Sequence, residues 1–186
     1  MANIEHLTQL KWGVDRWQEW RSHHPNLQPD LSVTILAELD LEGFDLRGAN
    51  LIGTDLKAVN LANSLLAETN LIGVNLREAN LQNADFYRAK LCRANLSQTN
   101  LRGANFTEAD LSDANLCGAD AIETYFYHSK LDRANLSEAH FNGGYFVNAS
   151  LIEAELFRTD LRWTNLRRAN FLGANLDRSY HRGATF

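Results

Sequence analysis

Long apolar runs, cysteines and prolines are scarce in this chain of 186 residues. No stretch of about 18 apolar residues occurs, so no transmembrane helix is expected, and no membrane contact. The opening MANIEHLTQLKWGVDR lacks the basic-then-apolar layout of a secretory leader, so no cleaved leader is expected. Catalytic signatures are missing as well. There is no glycine-rich phosphate loop, no GxSxG, no HExxH and no CxxC, and the reading is of a protein without catalytic, cofactor or metal residues. The histidines (His6, His23, His24, His128, His140 and His181) read as dispersed. Both prolines, Pro25 and Pro29, fall in the first 30 residues, where a helical pattern stops.

What the chain has instead is a period of five. Every position from 36 to 176 whose number ends in 1 or 6 carries Leu or Phe, with Ala121 as the one exception, over 29 consecutive units. Two residues earlier sits a small or β-branched side chain (Ala49, Thr54, Val59), and one residue earlier usually Asn or Asp. Neither standard period explains five. On a helix such leucines wander around the axis, and on a flat strand they alternate between faces. They all point inward only if the chain turns a corner within each five.

The unit A-(D/N)-L-x-x resembles the pentapeptide-repeat family over about four-fifths of the chain. The resemblance implies an all-β solenoid, a right-handed quadrilateral parallel β-helix of about seven four-sided coils. The residues support four sides on their own. Phe86, Phe106, Phe126 and Phe146 repeat at 20, as do Tyr125 and Tyr145, and undersized Ala121 falls beneath oversized Phe141. Stacked amides are expected in the columns Asn75–Asn95–Asn115–Asn135 and Asn60–Asn80–Asn100, with turn formation an equal alternative. In this frame Cys92 and Cys117 lie outward on different faces, so no disulfide is expected, and two free thiols fit a reducing cytoplasm.

Residues 1–30 differ from residues 31–186. Leu7, Leu10, Val14 and Trp17 share one face of an amphipathic helix, expected to cap the open end of the β-helix. Leu39 and Phe44, at sites that elsewhere hold small residues, read as an adaptation to that cap, while Trp12 lies off the apolar face. The segment GVDRWQEWRSHHPNLQPDLS is similar to the leader of cyanobacterial members of the family.

Function is therefore expected on outward surfaces: a noncatalytic, rigid protein-interaction scaffold whose partner is an unidentified protein. The candidate patch is Tyr87, Tyr125, Tyr127, His128, Tyr145 and Val147, where other repeats carry small polar or charged residues. A weaker apolar strip, Ile52, Ile72, Ile152 and Leu172, is interrupted by Asp132. The alternative comes from the family's quinolone-resistance members, which mimic duplex DNA and bind DNA gyrase. A mimic needs a continuous acidic wall. Residues 36–186 instead hold 19 acidic and 15 basic side chains with both signs interspersed, and neither projecting loops nor a C-terminal dimerising helix like those of these members is expected. No direct nucleic-acid contact is expected. A monomer is expected, its last coil guarded by arginines, with pairing of two copies through that coil as the alternative. The column Asp120–His140–Asp160 reads as an ion ladder.

Overall fold

The computed structural model describes residues 1–186. Its principal feature is a right-handed, four-sided parallel β-helix of about seven coils, built from one short bridge per five residues. Every bridge joins residue n to residue n+20, from Asp30↔Asn50 to Asn165↔Thr185, so four fives close one coil. No helix is long and apolar enough to cross a membrane.

One unit shows why this sequence makes this wall. Asn50 N–H donates down to Pro29 O (2.8 Å), while Leu51 and Gly53 donate up to Asn70 O (2.8 Å) and Ile72 O (3.2 Å). Thr54 N–H closes the corner on Leu51 O (3.1 Å). The remaining donor, Ile52 N–H, is met by the side chain of Asn50 (3.3 Å). All five donors are thus satisfied, and the preference for Asn or Asp before the leucine follows from the fifth. The residue two beyond each leucine sits at positive φ, which turns the corner. Glycine accepts that conformation freely (Gly53, φ 61), whereas Trp163 (φ 63) holds it with a bulky side chain.

The core is a column of buried leucines and phenylalanines with small residues at the corners. Phe86, Phe106, Phe126 and Phe146 stack at 4.7, 5.2 and 4.7 Å with planes within 15° of parallel. Phe141 meets Phe126 and Phe146 edge-on at 5.7 and 5.2 Å, in space that Ala121 leaves on the same wall one coil below. The amide columns divide. Asn60, Asn80 and Asn100 form a ladder upward from Asp40 (2.9, 3.0 and 3.0 Å), and Asn80 also accepts from Gln82 N–H, so it serves ladder and turn together. In the other column Asn75 reaches Asp55, but Asn95, Asn115 and Asn135 serve only their own turns.

Two helices stand at the N-terminus where one continuous face is expected: α1, Ile4–Lys11, and α2, Val14–His23. Asn3 caps α1 through its side chain, and Gly13 (φ 95) turns the chain into α2. The apolar period survives the break. Leu10, Trp17 and Trp20 are buried, and Leu7 and Val14 pack against the core from partly buried positions. The helices also supply hydrogen bonds that a coil below would have made. Trp17 Nε1 donates to Asp45 O (2.7 Å) and Arg21 Nη2 to Arg47 O (2.9 Å). Asn3 N–H donates to Asp30 O (2.9 Å), and His6 Nδ1 accepts from Asp30 N–H (2.9 Å). Phe44 is buried beneath Trp17 (6.2 Å). Leu39, expected to share that role, remains 36% exposed, because the helices lie over the Phe44 side of the coil.

Candidate protein-interaction wall

On this wall the residue before the core side chain is Asp45, Asp85, Asn105 and Asn165 in four coils, and each of these short side chains accepts from the N–H two residues on. Tyr125 and Tyr145 supply no such acceptor; they project from the wall and stack at 5.2 Å, 7° from parallel. Tyr127 completes the cluster, 6.2 Å from Tyr125 and 5.7 Å from Tyr145. Tyr125 is exposed, and Tyr127 and Tyr145 are half-buried. Burial, with the neighbouring Tyr145 and Tyr125, pushes the Tyr127 phenol above its ordinary value. His128 is exposed beside them with its Nε2 3.4 Å from Asn148, and Val147 lies half-buried one coil above Tyr127.

The sixth residue of the expected patch is elsewhere. Tyr87 lies two coils below Tyr127 with Thr107 between them. Its ring is covered by Arg88 (4.8 Å), and its hydroxyl donates to Glu108, which Arg88 also holds at 2.7 Å. The structure therefore brings together Tyr125, Tyr127 and Tyr145 with His128 and Val147, and not Tyr87.

The expected ion ladder is overturned. Bridges do align Asp120, His140 and Asp160, but each carboxylate has its own arginine: Arg102 on Asp120 (2.8 Å) and Arg162 on Asp160 (2.6 Å). Arg102 reaches its carboxylate from the coil below and Arg162 from two residues along the same coil, each through charge-assisted hydrogen bonds. Burial works against the Asp160 charge, yet hydrogen bonds from Arg162 and Asn142 outweigh it and bring its pKa to about 2. A depressed carboxylate stabilises the fold above its unfolded value of about 3.9, and that contribution is lost as pH falls through the folded value. Asp160→Asn should therefore differ most from the parent above about pH 4, and the two should converge toward pH 2. Parallel urea titrations across that range check it; a gap that widens on acidification would contradict the assignment.

Several features escape a reading of the sequence. His6 and His23 lie in the two N-terminal helices and His24 directly follows the second, and His6 and His24 flank Trp20 at 5.2 and 5.1 Å. Trp163 stands 65% exposed, its ring over Gly183, where a Cβ would come within 2.3 Å. A polar cleft of about 680 Å³ between α2 and the first coils is lined by Arg21, Asp45, Arg47 and Glu68 among others. Three of these four charges are engaged: Arg21 donates to two carbonyls and Arg47 is bidentate on Asp45. The Cys92 thiol is pushed up by burial, which lowers its reactivity.

Comparison with known proteins agrees with the geometry. A family model for pentapeptide repeats (8 copies) matches residues 30–63, 54–91, 84–120, 129–168 and 154–186. No curated protein matches in sequence. Among solved structures, a trypsin-treated variant of QnrB1, a plasmid-mediated fluoroquinolone resistance protein, is 17% identical, with a TM-score of 0.58, over 85% of this chain and 89% of that one. HetL, a protein involved in heterocyst differentiation regulation from the cyanobacterium Nostoc sp. strain PCC 7120, is 23% identical over 89% of this chain and 94% of that one, with a TM-score of 0.28. At 17% identity the likeness to QnrB1 concerns the fold alone.

Proposed function

The chain belongs to the pentapeptide-repeat family, and from that premise we propose that it is a noncatalytic scaffold that holds a protein partner on the wall of Tyr125, Tyr127 and Tyr145. The observation that carries this reading is the cluster of three mutually stacked tyrosines on adjacent coils of one wall. Tyrosine offers a large, rigid apolar area with a hydroxyl at its edge, at small entropic cost. The backbone beneath is fixed by hydrogen bonds to the coils above and below, so the rings are preorganised. Residues 1–30 act as a cap and residues 31–186 as the binding rod, working as a cytoplasmic monomer.

Replacing Tyr125, Tyr127 and Tyr145 together by Ser should cost no more than about 2 kcal/mol of stability, because the core column is untouched. The same change should abolish capture of a partner by the purified protein in extracts of the native organism. Unfolding of the triple variant, or capture with unchanged affinity, would make the tyrosines a stiffening element only.

DNA gyrase is the alternative partner, through mimicry of duplex DNA. The charges speak against it. Four of the surface carboxylates, Glu108, Asp120, Asp113 and Asp160, are paired with Arg88, Arg102, Arg133 and Arg162, which breaks up any continuous acidic wall. Micromolar protein should leave gyrase supercoiling unchanged; inhibition would favour the mimic.

A further inference from the structure

The wall that carries the tyrosines continues upward into two cations. Tyr127, Val147 and Arg167 form one column and His128, Asn148 and Arg168 the next, joined by His128 N–H to Val147 O (3.0 Å) and Asn148 N–H to Arg167 O (3.1 Å). Arg167 and Arg168 are both exposed. Nearby Arg158, Arg162 and Arg178 sit beside Glu138, Asp160 and Asp177, but Arg167 and Arg168 form no salt bridge. Nor does this wall offer them one. Its outward residues in the last three coils that include the cluster are Tyr125, Tyr127, His128, Tyr145, Val147, Asn148, Asn165 and the two arginines, without a carboxylate. In a chain of net charge −5, these three coils of the wall carry a local positive field, above lower coils in which Glu108 is already held by Arg88.

We propose that the occupant of the tyrosine wall is an extended acidic peptide segment lying along the rod, an apolar side chain on Tyr125, Tyr127 and Tyr145 and a carboxylate on Arg167 and Arg168. This rests on the tyrosine wall being the docking surface. Backbone groups along the wall are used between coils, so the segment is held by side chains and not by added strand pairing. Coils lie about 4.8 Å apart, which puts the arginines about 7–10 Å from the cluster, two to three residues of extended chain at about 3.3 Å each. The motif is therefore an aromatic or large aliphatic residue with an acidic pair about three positions away. Arginine, with its planar fork, suits a carboxylate there.

The test uses the full chain and labelled peptides of about ten residues in a Gly/Ser background, read by fluorescence anisotropy. One peptide carries Phe with an Asp pair about three residues away, made in both orders; a second moves the pair about seven residues away. A third replaces Asp by Lys, and an oligothymidylate supplies the same negative charge without peptide chemistry. One order of the first peptide should bind at least about tenfold tighter than the lysine peptide and more tightly than the shifted one, and should weaken with salt. Arg167→Glu with Arg168→Glu should reduce that binding at least about tenfold, and Arg182→Glu, on another wall, should leave it unchanged. Equal binding of the acidic and basic peptides, preference for the oligothymidylate, insensitivity to the double reversal, or no saturation by about 1 mM would overturn the acidic occupant. The tyrosine triple variant separates the two readings. Loss with Ser at the tyrosines but not with reversed arginines keeps the docking wall and removes the acidic partner. Loss with the arginines alone removes the tyrosine wall itself.

Discussion

Phe126→Ala should lower the unfolding free energy by about 3–5 kcal/mol, the cost of removing a buried aromatic ring from a site that cannot close. The ring is fully buried, stacked on Phe106 and Phe146 at 5.2 and 4.7 Å and met edge-on by Phe141. Collapse into the vacated space is resisted on both sides. Phe126 N–H is tied up to Tyr145 O and Phe106 N–H to Tyr125 O, each at 2.7 Å, so the wall cannot sink without breaking the ladder. Because each coil touches only its neighbours, the damage should be local, with amide protection falling first in the coils next to residue 126. Arg102→Ala is the control. Its exposed pairing with Asp120 at 2.8 Å is worth at most about 1 kcal/mol. Urea denaturation of the two variants decides; similar losses would mean that inside and outside have been misassigned.

The second large effect is expected at the other end of the core. Trp17→Ala should cost about 3–5 kcal/mol for the lost indole. It should also leave Asp45 O without the donor that replaces a missing coil. Trp17 is fully buried and packs on Trp20 (5.1 Å) and Phe44 (6.2 Å), so its loss loosens the contact between helices and coil. Trp17→Phe separates the contributions. It keeps most of the packing and removes the hydrogen bond, whose net value is about 0.5–1.5 kcal/mol. Once the edge is uncovered, its free carbonyls and apolar side chains invite association of copies. Light scattering should show concentration-dependent growth for Trp17→Ala but not for the parent. A Trp17→Ala protein as stable and as monodisperse as the parent would show that the helices are dispensable for the end of the rod.

Much of this was readable from residues alone, because the interior repeats without interruption. A leucine every fifth residue demands a corner in every five, and phenylalanines 20 apart demand four corners per coil. The tyrosines were readable for the same reason, since they depart from the chain's own rule at their positions. What escaped depends on side-chain reach and on the placing of one element against another. Gly13 breaks the N-terminal helix while leaving its apolar period intact, so periodicity could not reveal the turn. Leu39 and Phe44 read alike, and only the lateral placing of α2 buries one of them. Asp160 could be aligned with His140 by counting, but its capture by Arg162 two residues away depends on a rotamer. The isolation of Arg167 and Arg168 was hidden likewise, since it depends on which side chains neighbour them across coils.

The bridge spacing of 20 also governs how such a chain can change length. Twenty added residues would lengthen the rod by one storey and leave every column in line. Five added residues would keep the interior just as well filled, yet rotate everything beyond them by a quarter turn. An insertion of five between Asn148 and Asn165 would carry Arg167 and Arg168 around the corner, away from the tyrosines, at little expense to folding. Length variation in multiples of five is thus compatible with the core, but only multiples of 20 preserve a composite surface. A gene that drifts by single repeats would shuffle its binding faces while its fold stayed the same.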